Sequence, residues 1–556
     1  MRDDQQNTAP EPTPAPKPLP GSVYVRPGID DRPDYDKALT PEDKAAVARL
    51  AVHQPRKKVE ASVTQAETQA AQMIADGSPA AAAASVDAAV PDMASAYVDM
   101  RDPVVSADGQ RPDARQVTRL AWGFALAALL SVMAWASLNL LALPALIAYI
   151  GWRGPSGEHV ALFGQGELAD LHIGEIGDGG LAVSWAWGLA VVIIVGVVVS
   201  LFAEAGVAAL SDRTRTERGR RTPWIAAGGF LAALTTLLLG LNTSVVGIAL
   251  LWGLTQVGYA MLTVPMAAAF SERVPDKFRP RVVRARGIGQ MVGQALGVWL
   301  GVGGLVTGGS YLPFITAAVV FVIAGIVPLL VWPKEPSSEA LARTPMSSRA
   351  FFDRFRAPYH ATEFWKAFAS RTLVSAGVGI VPMFLWFVAA GLIFRGWFVQ
   401  GNSTALVMPV GSLIASMALA TLAGSVIAAF IAGPAGEYVE DPRYLSAASC
   451  VLYAVAVALP MTLLSVTSMI LFALIAGFAF GLIDTFGQLL AMSAMPDPLN
   501  AGHDLAFFNL SNSAGLLIAA LAGAIGVQAT GGFAVLFPIA IVCLIASALI
   551  TLTMRA

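Results

Sequence analysis

The sequence predicts an all-α membrane protein: about twelve spanning helices in two six-helix bundles, preceded by a disordered tail. Three observations lead there. The 556-residue chain is 56% hydrophobic and 13% charged, with a mean hydropathy of +0.63, far more apolar than a soluble domain of that size. Apolar runs long enough to cross a bilayer recur from Val117 onward. Basic residues collect in alternate turns between those runs.

Residues 1–116 come first and read as a solvated cytoplasmic tail. Pro10–Pro20 is dense in proline, Ala80–Ala84 is an alanine tract, and the remainder carries too little apolar side chain for a core. Short helices are expected at Pro41, capped by Thr40, and over Arg56–Ile74, where a docking or regulatory role is the alternative. The first residues contain no apolar stretch of the kind a cleaved signal peptide needs.

Spans are expected near 117–150, 181–204, 223–241, 245–270, 287–307, 311–333, 371–395, 405–433, 444–463, 467–492, 505–527 and 531–554. Pro144 is expected to kink the long first span. Gly289, Gly293, Gly297 and Gly301 recur every four residues in the fifth, a spacing that lets helix backbones approach closely.

The loop charges set the orientation. Turns after the second, fourth and sixth spans carry Arg213–Arg221, then Arg273, Lys277, Arg279, Arg281, Arg284 and Arg286, then the basic stretch 334–370. Opposite turns are nearly free of basic residues, apart from Arg153 and Arg395, and the first is acidic, with Glu158, Glu167, Asp170, Glu175 and Asp178. That alternation puts both termini in the cytoplasm of a cell membrane. Segment 334–370 then separates a first bundle, 117–333, from a second, 371–556. Val274-Pro275-Asp276 and Met495-Pro496-Asp497, after the fourth and tenth spans, hint that the halves are internal repeats.

Few residues carry chemistry. Asp212 lies beside Arg213, Arg220 and Arg221 at a helix mouth, where carboxylate–guanidinium pairs could latch two bundles; the bland reading is that these arginines only fix topology. Asp484 sits well inside the tenth span, where an ionised carboxylate is costly unless paired, hydrated or protonated. It is the candidate proton carrier, with a structural hydrogen-bonding role as the alternative. Glu204, ending the second span, reads as an interfacial or gate residue. Trp135, Asn139, Trp185, Gln256, Tyr259, Thr263, Gln290, Gln294, Asn509 and Asn512 are candidates to line a solute cavity. Amides and hydroxyls beside indole faces, with no basic residue in the central spans, favour a neutral or zwitterionic solute.

Other classes find little support. Cys450 and Cys543 fall in apolar runs, and the five histidines lie outside the spans, so neither a disulfide framework nor a metal site is expected. No nucleophile–base pair or phosphate loop suggests an enzyme.

The run Leu210, Ser211, Asp212, Arg213, then Gly219, Arg220 and Arg221, resembles the loop signature of major facilitator superfamily transporters, with Ala208 where that motif begins with Gly. Ser211–Trp224, Ser271–Asp276, Glu363–Arg371 and Met495–Asn509 resemble its glycoside–pentoside–hexuronide and sucrose-transporter branch, in which Asp484 falls where an acid is common. The resemblance spans 117–554. It implies a twelve-helix carrier working by alternating access, with Asp212, Arg213, Gly219, Arg220 and Arg221 as a conformational gate and sugars as common substrates. It also implies coupling to protons or sodium. Sodium-coupled members carry acids midway along helices one, two or four, which this chain lacks, so protons are expected. The expectation is therefore a monomeric secondary active transporter of a sugar or glycoside, with partners limited to its solute and the lipid bilayer, no nucleic acid and no cofactor. An exporter of amphipathic compounds, or a receptor derived from a transporter, are the alternatives.

Overall fold

The computed structural model describes residues 106, 111–151, 180–308, 311–339, 361–394, 404–439, 441–494 and 501–554. The proposed tail helices, the acidic first loop, Arg153, Arg395 and the Met495-Pro-Asp echo lie outside them.

Among the described residues eleven helices are long and apolar enough to cross a membrane. They are α1 (Ala114–Ala148), α2 (Ala182–Arg213), α3 (Thr222–Gly240), α4 (Val245–Arg273), α5 (Asp276–Thr307), α6 (Leu312–Val331), α8 (Met408–Gly436), α9 (Pro442–Thr462), α10 (Val466–Ala491), α11 (Phe507–Thr530) and α12 (Phe533–Leu552). The twelfth, α7, is a bent pair, Thr362–Met383 and Leu385–Ile393, meeting at 50°. Within the first bundle α1 packs on α5 and α6, and α4 on α2 and α3; within the second α7 packs on α11 and α12, and α10 on α8 and α9. The bundles meet most extensively along two seams, α2 with α11 and α5 with α8. This is the two-bundle, all-helical membrane fold expected from the sequence.

Proline explains where helices deviate. Pro144 cannot donate to the carbonyl four residues before it. The helix ahead of it widens into a π-turn over Leu138–Ala142, in which the Leu143 N–H reaches Leu138 instead. In α7, Pro382 leaves the Val378 carbonyl without its helical donor, and the Tyr453 hydroxyl of α9 donates to it at 3.4 Å.

Glycine explains where helices come closest. A Cβ at Gly289, Gly293 or Gly297 would collide with the carbonyls of Ala125, Leu129 and Met133 in turn, so α5 lies directly on the α1 backbone over successive turns. Both helices step by four residues, a longer period than 3.6, which winds such a pair right-handed.

Candidate functional site

Three constellations stand out, and the arginine loop builds the first. Ser211 and Asp212 end α2, and Arg221 precedes α3. The Arg221 guanidinium, 5% exposed, reaches Asp212 at 2.5 Å, the Ser211 hydroxyl at 2.6 Å and the Glu272 carboxylate on α4. Arg220 joins Glu272 at 2.8 Å. Burial works to lower the Arg221 pKa, but the bonds and charges of Glu272 and Asp212 outweigh it and leave the group above its ordinary value. Arg213 is half-buried in the last turn of α2.

The far side of this loop is held by the segment that follows α6. Glu335 accepts hydrogen bonds from the N–H groups of Arg220, Arg221 and Thr222 at 3.0, 3.1 and 3.0 Å, and from the Thr222 hydroxyl at 2.8 Å. A carboxylate there satisfies orphan donors at the start of α3 and meets the positive end of its dipole. Gly219 is needed twice over: its φ is 87°, and a Cβ would overlap the Glu335 carboxyl. Ser338 completes the tie through Thr216, the N–H of each donating to an oxygen of the other at 3.2 and 3.0 Å. Arg119 donates to the Val331 carbonyl at 2.9 Å, and Arg273 donates to the Pro333 carbonyl while lying 5.7 Å from the Trp332 ring centre.

The second constellation joins the bundles at the opposite end. Trp185 of α2 stacks on Phe387 of α7, ring centres 5.3 Å apart, and Phe387 stacks on Phe533 of α12 at 5.4 Å. The Trp187 indole N–H donates to Gln528 of α11 at 2.9 Å, and Gly411 of α8 lets Val302 of α5 approach.

The third lies inside the second bundle. Arg371 of α7 pairs with Asp484 of α10 at 3.1 Å, their side chains 18% and 20% exposed. Its Nε donates to Asn512 Oδ1 on α11 at 3.0 Å, and the Ser375 hydroxyl donates to the same oxygen at 2.8 Å. One carboxylate, one guanidinium and one amide from three helices thus form a connected polar core. The expectation that the central spans carry no basic residue does not hold, because α7 begins at Thr362, inside the stretch read as central loop, and carries Arg371 well within the helix.

The cavity candidates fall into separate groups. Asn512 joins the third constellation. Asn509 is buried nearby in sequence, its Nδ2 lacking a partner among the described residues. Trp135 and Tyr259 face each other across α1 and α4, ring centres 6.4 Å apart, and the Tyr259 hydroxyl lies within electrostatic reach of Glu204 and Arg286. Asn139 is half-buried in the π-turn of α1, its Oδ1 without a partner among the described residues. Gln256 is buried against Gly196 of α2, Gln290 is half-buried and Gln294 is exposed. Two candidates are committed elsewhere: the Thr263 hydroxyl donates to the Tyr259 carbonyl at 2.9 Å, and Trp185 belongs to the bundle seam, its N–H on the Ala148 carbonyl at 3.2 Å.

Sequence reasoning missed Glu272, Glu335 and Arg371 as partners. Glu272 and Arg371 lie inside segments that carry the family resemblance, and Glu335 lies between Lys334 and Pro336 in the stretch read as a basic loop. Those segments also meet in space: Phe364 and Phe368 of α7 pack on Phe507 and Phe508 of α11, with ring centres 5.8 to 6.4 Å apart.

No family model and no curated protein matches the chain. Solved structures do. A single-site variant of nucleoside transporter NupG aligns with a TM-score of 0.56 at 13% identity, covering 79% of this chain and 100% of that one. NupG itself gives 0.55 at 13% identity, over 78% and 98%. A bacterial homolog of the human lysosomal transporter Spinster, in an inward-facing and unoccupied conformation, gives 0.52 at 14% identity, over 79% and 96%. The likeness is one of fold.

Proposed function

We propose that the chain is a secondary active transporter that moves a small solute across the cytoplasmic membrane by alternating access, coupled to protons. The observation that carries this reading is the Arg371–Asp484 pair, held by Asn512 inside an apolar helical bundle. Such a pair is a poor source of stability, since desolvation offsets much of the Coulomb gain. It is well suited to a switch: protonating Asp484 removes one charge and frees the guanidinium.

The seams fit the same cycle. With the arginine loop on the cytoplasmic side, the Trp185–Phe387–Phe533 stack and the Trp187–Gln528 bond lie at the outer end and close it. The arrangement supports assignment to a state closed toward the outside. Solute binding then shifts the balance between states only through its different affinity for each. The superfamily resemblance and the transporter neighbours support the carrier reading; sugars and glycosides enter from the resemblance, nucleosides from NupG.

Uptake by proteoliposomes under an imposed pH gradient, across labelled sugars, glycosides and nucleosides, tests the reading. Accumulation of at least one solute, collapsing with a protonophore, is expected. Equal levels with and without the gradient for every solute would reject proton coupling, and no entry of any solute would reject the carrier.

A further inference from the structure

We infer that Arg371 is a specificity-determining residue and that the transported solute carries an anionic group, most simply a carboxylate, which docks on the free edge of its guanidinium. The inference rests on the carrier reading above and narrows its substrate class.

The guanidinium is held along one side. Nε is bound to Asn512 and Nη2 to Asp484, so the plane of the fork is fixed by two helices other than its own. Nη1 makes no hydrogen bond among the described residues. A Cβ added at Gly487, one turn beyond Asp484 on α10, would stand 3.6 Å from Nη1, in ordinary contact with it. The glycine therefore leaves uncovered the one guanidinium nitrogen that has no hydrogen-bond partner among the described residues. A rigid guanidinium fork with an open edge matches the two oxygens of a carboxylate.

Charge balance points to the same class. With Asp484 ionised, the pair is neutral overall and has no call for a charged solute. Once Asp484 takes a proton, Arg371 is left with an uncompensated positive charge in a half-buried site. Among the described residues the Cys450 thiol on α9 also lies within electrostatic reach of it, and a protonated thiol supplies no negative charge. Stranding a charge in this way is costly. An anionic solute group that takes the place of the Asp484 carboxylate restores neutrality, so proton and solute enter together and the loaded site again sums to zero. A neutral solute offers no such compensation.

The test uses purified full-length chain and matched compounds: hexoses with hexuronates, and nucleosides with nucleoside 5′-carboxylates. Thermal shift reads binding, and proteoliposome uptake reads transport. The carboxylate member of a pair is expected to bind at least tenfold tighter than its neutral twin, more strongly at acid pH, with uptake insensitive to membrane potential. Arg371→Gln should erase that preference. Because that variant could fail to fold, Gly487→Ala serves beside it: the methyl covers Nη1 and should weaken the acid about tenfold, the cost of a charge-assisted hydrogen bond, with the melting temperature of the empty protein unchanged. Tighter binding of neutral compounds, unaltered by Gly487→Ala, would overturn the inference and leave the carrier reading intact. Binding and uptake of neither kind would count against both.

Discussion

The turn between α2 and α3 and the turn between α8 and α9 occupy equivalent places in the two bundles, yet they are built to different depths. The first is a folded clamp: Asp212, Arg220, Arg221, Glu272 and Glu335 tie the ends of α2, α3, α4 and α6 together. Among the described residues the second holds one short-range pair, Asp441 with Arg443 at 2.5 Å, plus a bond from Arg443 to the Met554 carbonyl past the end of α12. In both halves the turn is tied to the end of the bundle's last helix. In the first half the charges stay at the membrane surface, and in the second a pair has moved inward, to Arg371 and Asp484. The helix seams show the same division. In the α1–α5 seam glycines bring backbone against backbone, whereas the equivalent α7–α11 seam combines one such glycine, Gly515, with the hydrogen bonds of Asn512. The first bundle thus keeps its charges in a clamp of loop and helix ends, and the second keeps a charged pair among its helices.

The largest way to break that contrast is to remove one partner of the inner pair. Arg371→Gln or Asp484→Asn should lower stability in detergent by about 2–3 kcal/mol, because the remaining group loses its partner. Joining the two substitutions should recover part of the loss, and melting curves of all four proteins give the coupling. The glycine seam comes next. Gly297→Ala, which drives a methyl into the Met133 carbonyl, should cost about 1–3 kcal/mol. Gly287→Ala on the same helix meets no atom within 4 Å and should be neutral or slightly stabilising, by up to about 1 kcal/mol.

The turns sharpen the comparison further. Glu335→Ala strands several backbone donors and should cost about 1–3 kcal/mol, with a thiol placed in the 213–221 loop becoming faster to label. Asp441→Ala removes an N-cap, whose side chain accepts from the Arg443 N–H at 3.0 Å, together with a partly exposed pair to the Arg443 guanidinium, and should cost about 1 kcal/mol. Its pH dependence has a definite sign. The Arg443 side chain holds the Asp441 carboxyl below the usual carboxylate range. Its contribution is therefore complete above the ordinary carboxylate pKa and lost as pH falls through the lowered folded value. The melting difference between the native chain and Asp441→Asn should narrow only in acid. Smallest is Tyr453→Phe, which leaves the Val378 carbonyl unpaired and should cost about 1 kcal/mol in thermal melts.

Much of the fold was legible because spanning helices announce themselves locally. Each apolar run carries its own evidence, and the arginines between runs carry the evidence for their order. The glycine seam was legible for the same reason, since Gly289, Gly293 and Gly297 share one helix face at a fixed period. What escaped was non-local. Glu335 caps a helix from 113 to 115 positions away in the chain, and no local pattern encodes that. Arg371 escaped because Glu363 and Lys366 dilute the hydropathy at the start of α7. Those charges are neutralised within the fold, Lys366 bonding Glu363 at 3.0 Å and the Thr553 carbonyl at 2.8 Å. Trp185 was chosen for its chemistry alone, and only packing shows its indole committed to the bundle seam.

The central claim, that the Arg371–Asp484 pair couples solute to protons, is tested most directly by comparing accumulation with exchange. Proteoliposomes of the native chain and of Asp484→Asn would be given the same labelled solute, once under an imposed pH gradient and once preloaded for counterflow. The account predicts gradient-driven accumulation by the native chain alone, with counterflow in both. Accumulation by Asp484→Asn at the native level would contradict it.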